Sequence, residues 1–185
     1  VYLVLAIRQN PLCWVASFIA AALGVIVFAQ AQLYMQSALW GFFACMAIYG
    51  WLQWTRGAGV RSPHEIRIHT WPVRNHIIAL IAVVLVSIAF ARVLSLTAQA
   101  MPFIDSLVTI ASILTTWMVA KKLLENWLYW FVIDCVSIYL FVTQDIWLYA
   151  GLYVVYLVLV VIGYREWRAD NMTQTPADQP AAELG

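Results

Sequence analysis

The stretch IIALIAVVLVSIAFA (77–91) constrains this chain more than any other, because Ser87 is its one polar side chain. A helix built from it is apolar on every side, which suits lipid better than water. Similar runs occupy 11–30, 33–54, 103–120, 126–142 and 146–164, and the run quoted extends over 76–96. Each is close to the roughly 20 residues that cross the hydrocarbon core as a helix. Residues 1–7 read as the end of an earlier helix, so the chain is expected to begin inside its first span. Composition agrees: 64% of residues are hydrophobic and 10% charged, against about 25% charged in soluble domains. The expected fold class is an all-α polytopic membrane protein with seven transmembrane helices, the first mostly missing.

Charge gives that count an orientation. Arg8, Arg56, Arg61, Arg67, Arg74, Lys121, Lys122, Arg165 and Arg168 all fall on one side if every run crosses, and Arg92 alone lies near the other. Cytoplasmic loops collect Lys and Arg, so the C-terminus is expected in the cytoplasm and the N-terminus outside. From Arg165 the composition turns polar, and 165–185 reads as a disordered cytoplasmic tail. Cys13, Cys45 and Cys135 stand among apolar neighbours without metal-ligand spacing and read as packing residues.

An internal repeat is visible. NPLCW (10–14) resembles NWLYW (126–130), QLY (32–34) resembles WLY (147–149), and GWLQW (50–54) resembles GYREW (163–167). The anchors keep their order, and the two copies differ in length by about three residues on this pairing. The repeat divides the chain into a first three-helix bundle (1–54), a cytoplasmic loop (55–75), a linker helix (76–98), a second three-helix bundle (99–164) and the tail. Corresponding helices are four spans apart and therefore parallel. Such repeats hold their substrate near the midplane, between the halves.

Polar side chains inside a span are costly and mark candidate sites. Asp105, Thr109, Ser112 and Thr116 share one helical face, as do Asn126, Trp130, Asp134 and Ser137. Asp134 is about 12 Å beyond Asn126 along the helix axis, near mid-bilayer. Asp134 is also open to a plainer reading as helix glue, and Asp105 as a charge complementing the helix dipole. Lys121, Lys122 and Glu125 read as a solvated corner, His64, His69 and His76 as solvated, and Trp117 and Trp127 as interfacial belt residues. No HExxH, GxSxG, P-loop or GxGxxG motif occurs, which disfavours an enzyme, and no catalytic, metal or cofactor site is expected.

The pattern W-x3-K-x3-E-N-W-x2-W-x3-D (Trp117, Lys121, Glu125, Asn126, Trp127, Trp130, Asp134) resembles the signature of the PnuC-type nicotinamide riboside transporters. QLY (32–34) and YGWLQW (49–54) resemble matching elements of that family's first half. The resemblance implies a full-length SWEET-like architecture in a bacterial inner membrane. It also implies facilitated diffusion of nicotinamide riboside, drawn inward by cytoplasmic phosphorylation. Aromatic faces attract a pyridinium cation, which makes Trp117, Trp130 and Tyr34 stacking candidates. Asn126, Gln36 and Asp134 are hydrogen-bonding candidates, with Gln32, Asp105 and Tyr49 as weaker ones. The expected partners are this small-molecule substrate and the lipid bilayer, with no nucleic acid and with homo-oligomerisation left open. Thiamine or another vitamin, proton-coupled transport, and a non-transporting membrane scaffold remain alternatives.

Overall fold

The computed structural model describes residues 1–30, 34–56, 67–95 and 101–174. They form seven helices: α1 (Tyr2–Ile7), α2 (Leu12–Gln30), α3 (Tyr34–Arg56), α4 (Val73–Leu94), α5 (Pro102–Ala120), α6 (Asn126–Thr143) and α7 (Trp147–Gln174). Among the described residues there is no sheet, only one parallel bridge between His69 and Leu123. Pro72 caps α4 in extended geometry, and Pro102 opens α5 at a position where a missing N–H costs nothing. Five helices, α2 and α4 to α7, are long and apolar enough to cross a membrane.

Three expectations change. The third run forms a helix of spanning length, but it is more polar than the other five and is not among them. It carries Gln36, Gln53, Arg56 and three tryptophans. The linker helix begins at Val73, inside the segment read as loop. And α7 continues through 165–174, where a tail was expected. Its extension is held by Trp167, which is fully buried, and by Asp170, whose carboxylate accepts from Gln9 Nε2 at 2.6 Å.

The turns after α1 and α5 are the same structure. Arg8 and Lys121 end their helices, and Gln9 (φ 51°) and Lys122 (φ 53°) then adopt the left-handed conformation. Gln9 N–H bonds to Ala6 O and Asn10 N–H to Leu5 O, just as Lys122 N–H bonds to Val119 O and Leu123 N–H to Met118 O. This is the Schellman arrangement, which satisfies the last carbonyls of a helix. A third copy closes α6, with Asp145 at φ 59°.

Side chains repeat in the same register. Trp14 meets Trp54 edge to face at 5.6 Å, and Trp127 meets Trp167 at 5.4 Å. The Trp14 ring covers Gly50 and the Trp127 ring covers Gly163, so closely that a Cβ at either glycine would overlap it. Trp54 donates to Ala120 O, and Trp167 donates to Ala6 O and Ile7 O, all at 3.2 Å. The differences 127 − 14, 163 − 50, 167 − 54 and 120 − 7 all equal 113. The repeat is therefore ungapped across these positions. Trp14 corresponds to Trp127, not to Trp130 as the Asn-x-x-x-Trp pairing suggested. Packing follows the same exchange. The α1–α2, α2–α3 and α1–α7 contacts have counterparts in α5–α6, α6–α7 and α5–α3, and α4 lies outside the scheme, against α5.

Candidate functional site

The polar face expected on α6 is buried. Asn126 is 0% exposed, Asp134 3% and Ser137 4%, on a helix whose sequence holds no Lys or Arg. Asn126 sits at the head of α6 because the preceding turn is closed, and its Nδ2 donates to Leu123 O at 2.5 Å. Its Oδ1 and the Ser137 Oγ have no hydrogen-bond partner among the described residues. Leaving a buried polar group unpaired costs about 1–3 kcal/mol, so such groups mark either strain or a place where another molecule binds.

The wall opposite belongs to α7, which the sequence reading did not include. Tyr149, Tyr153 and Tyr156 are spaced by four and three on one helical face, and that spacing is the signal that could have found them. Phe141 of α6 lies 5.2 Å from the Tyr153 ring and 5.5 Å from Tyr149, and Tyr153 and Tyr156 are 5.4 Å apart. Asp134 lies near the Tyr153 side chain. Asp134 thus looks across the α6–α7 interface.

The α5 face is less polar than its sequence. Ser112 and Thr116 return their hydroxyls to Val108 O and Ser112 O of their own helix. Asp105 is half-buried in the first turn of α5. The fully or nearly buried α5 hydroxyls are those of Ser106 and Thr115, on opposite flanks of that face and also bonded within α5.

The remaining candidates divide between two places. Trp130 and Tyr49 are half-buried and pack against the cluster that holds Trp14, Trp54, Trp127 and Trp167. Trp127, read as a belt residue, is instead at the centre of that cluster, 1% exposed. Trp117 points elsewhere, towards Trp71, 5.7 Å away before α4. Gln32 lies outside the described residues. Tyr34 and Gln36 fall in the first turn of α3, with side chains outside the described set.

The corner between α5 and α6 is built rather than solvated. Lys121 lies 5.5 Å over the Tyr49 ring and Lys122 5.0 Å over Trp54, with Lys122 Nζ donating to Gln9 Oε1 at 3.1 Å. Glu125 Oε1 accepts the Trp71 N–H at 3.0 Å and lies 3.9 Å from His76 Nε2. His76 Nδ1 meets the Tyr129 hydroxyl at 3.0 Å. His76 is therefore partnered, against the solvated reading. These contacts, with the His69–Leu123 bridge, pin residues 67–72 across the turn. His76, Glu125 and Tyr129 also line one end of an apolar groove of about 550 Å³ between α4, α5 and α6. Among the described residues, no three His, Cys, Asp or Glu side chains lie close enough to hold a metal ion.

Comparison with known proteins gives a consistent result. A family model described as nicotinamide mononucleotide transporter matches residues 1–169. The nicotinamide riboside transporter PnuC of Escherichia coli is 27% identical over 168 residues, covering 77% of this chain and 70% of its own. The riboflavin/roseoflavin transporter RibM of Streptomyces davaonensis is 28% identical over 171 residues, covering 89% of this chain and 78% of its own. The crystal structure of the vitamin B3 transporter PnuC superimposes with a TM-score of 0.71 at 20% identity, over 93% of this chain and 77% of that one.

Proposed function

The chain belongs to the nicotinamide mononucleotide transporter family, a family of multi-pass membrane transporters and not of enzymes, and on that premise we propose that it carries nicotinamide riboside across a bacterial inner membrane. The observation that supports this cargo is the buried face of α6, where Asn126, Asp134 and Ser137 stand beside aromatic side chains with no Lys or Arg in the helix. A pyridinium riboside brings a cation, which aromatic faces and a carboxylate favour, together with hydroxyl and carboxamide groups that match the polar set. A phosphorylated cargo wants a cation in the site. The lysines nearest this face are engaged instead, at Tyr49, Trp54 and Gln9.

In this reading α1 to α3 and α5 to α7 form two parallel three-helix bundles, α4 links them, and the cargo passes between them by alternating access. The C-terminus is cytoplasmic and the N-terminus outside. Transport is facilitated diffusion, made net uptake by phosphorylation of the riboside inside. The site draws on Asn126, Trp130, Asp134 and Tyr49, with Trp117, Asp105, Tyr34, Gln36 and Gln32 as further candidates.

Riboflavin is the second reading, favoured by a relative of similar identity, RibM, that aligns over more of this chain than the Escherichia coli PnuC does. Calorimetric titration of the purified full chain decides between them. The proposal expects binding of nicotinamide riboside and weaker or no binding of riboflavin, thiamine and the mononucleotide. Riboflavin binding without riboside binding would replace the first reading with the second.

A further inference from the structure

The two halves share one register, and some of the positions where they differ lie on the polar face. In the shared register, with its step of 113, Phe28 corresponds to Phe141, Trp40 to Tyr153 and Phe43 to Tyr156. The contacts agree. Trp40 lies 6.1 Å from Phe28 and 6.3 Å from Phe43, and Tyr153 lies 5.2 Å from Phe141 and 5.4 Å from Tyr156. In the first half the Trp40 ring rests directly on Gly24, so that even a methyl group there would collide with it. In the second half the partner of Gly24 is Ser137 and the partner of buried Ala21 is Asp134. Tyr153 carries a hydroxyl where Trp40 carries an indole edge. One interface is therefore sealed by an aromatic ring on a glycine. The other carries, at the corresponding positions, a buried carboxylate, a buried serine hydroxyl without a hydrogen-bond partner among the described residues, and a phenol.

We infer that Asp134, Ser137 and Tyr153 form a single niche that seats the hydroxylated carbon chain of the cargo, with Tyr153 as a specificity-determining residue. A carboxylate accepts from hydroxyls, and serine and tyrosine can both donate and accept. Adjacent hydroxyls on a sugar or a reduced sugar chain need such a mixed set. The niche has no counterpart in the first half, so this recognition is one-sided although the fold is repeated. The inference rests on the transporter reading but is indifferent to the ring the chain bears, because a riboside and riboflavin both present several hydroxyls.

The test is calorimetric, with the full chain and paired ligands: nicotinamide riboside against its 2′,3′-dideoxy analogue, and riboflavin against lumiflavin, which lacks the ribityl chain. Tyr153→Phe and, independently, Ser137→Ala are expected to weaken the hydroxylated ligand about tenfold, as for loss of a buried hydrogen bond. Neither should change affinity for lumiflavin or for the riboside that lacks the vicinal 2′ and 3′ hydroxyls. Trp40→Phe is expected to leave the difference between paired ligands unchanged. Equal penalties for both members of a pair, or none for either variant, overturn the niche while leaving the transporter reading intact. If the wild-type protein binds neither riboside nor riboflavin, the cargo reading fails and the niche with it.

Discussion

At Gly163 and Gly151, both on α7, the same substitution should have opposite outcomes. A methyl group at Gly163 would enter the buried Trp127 ring, whereas nothing lies within 4 Å of one at Gly151. Gly163→Ala is expected to destabilise the protein by about 1–3 kcal/mol through overpacking. Gly151→Ala should be neutral or stabilising by up to about 1 kcal/mol from helix propensity. Thermal unfolding in detergent compares them directly. Trp167→Phe keeps most of the ring but removes the donor to Ala6 and Ile7, and should cost about 1–3 kcal/mol. Single residues were also where the sequence was easiest to misread. Asn126 and Asp134 stand out as candidates because polar groups are rare in such runs. The tyrosines of α7 could not be told from membrane-interface aromatics by composition, although their four-and-three spacing marks one face.

The helical elements depend on turns whose chemistry is hidden in ordinary residues. Three helices end in left-handed residues, and none of these is glycine: Gln9, Lys122 and Asp145. Each accepts a backbone cost of about 1–2 kcal/mol. For Gln9 and Lys122 the hydrogen bonds that join Lys122, Gln9 and Asp170 offset part of it. Asp145→Gly is therefore expected to raise the melting temperature and Asp145→Val to lower it, since a branched side chain fits that conformation worst. A flat response across both variants would remove the turn from the account. The segment before α4 gives a second check. Glu125→Ala removes the acceptor for Trp71 and should speed amide exchange across 67–72 while leaving α2 and α3 protected. The seven elements were legible as apolar runs, and their ends less so. The extension of α7 is polar in sequence and is held by Trp167 and Asp170 reaching back to α1, a tertiary cause that local composition cannot report. The pairing of Trp14 with Trp130 went astray because asparagine precedes a tryptophan by four residues in both copies. The repeated object is instead a turn followed by a tryptophan that covers a glycine.

For the whole molecule, the repeat supplies the frame and its asymmetry supplies the chemistry. Reciprocal bonds from Trp54 to Ala120 and from Trp167 to Ile7 tie each half to the other at one end, while the α6–α7 interface pairs the buried Asp134 with the half-buried Tyr153. Under the proposal above, cargo is recognised from one side of a repeated scaffold and moved by rearranging that scaffold. The most direct measurement is uptake of radiolabelled nicotinamide riboside into proteoliposomes holding the full chain, with unlabelled vitamins as competitors and no imposed ion or pH gradient. The account predicts saturable uptake, suppressed by excess riboside but not by thiamine or the mononucleotide, and reduced at least about tenfold by Asp134→Ala at unchanged protein incorporation. Uptake that requires a pH gradient, that thiamine or the mononucleotide suppresses as strongly as the riboside, or that is indifferent to Asp134→Ala would contradict it.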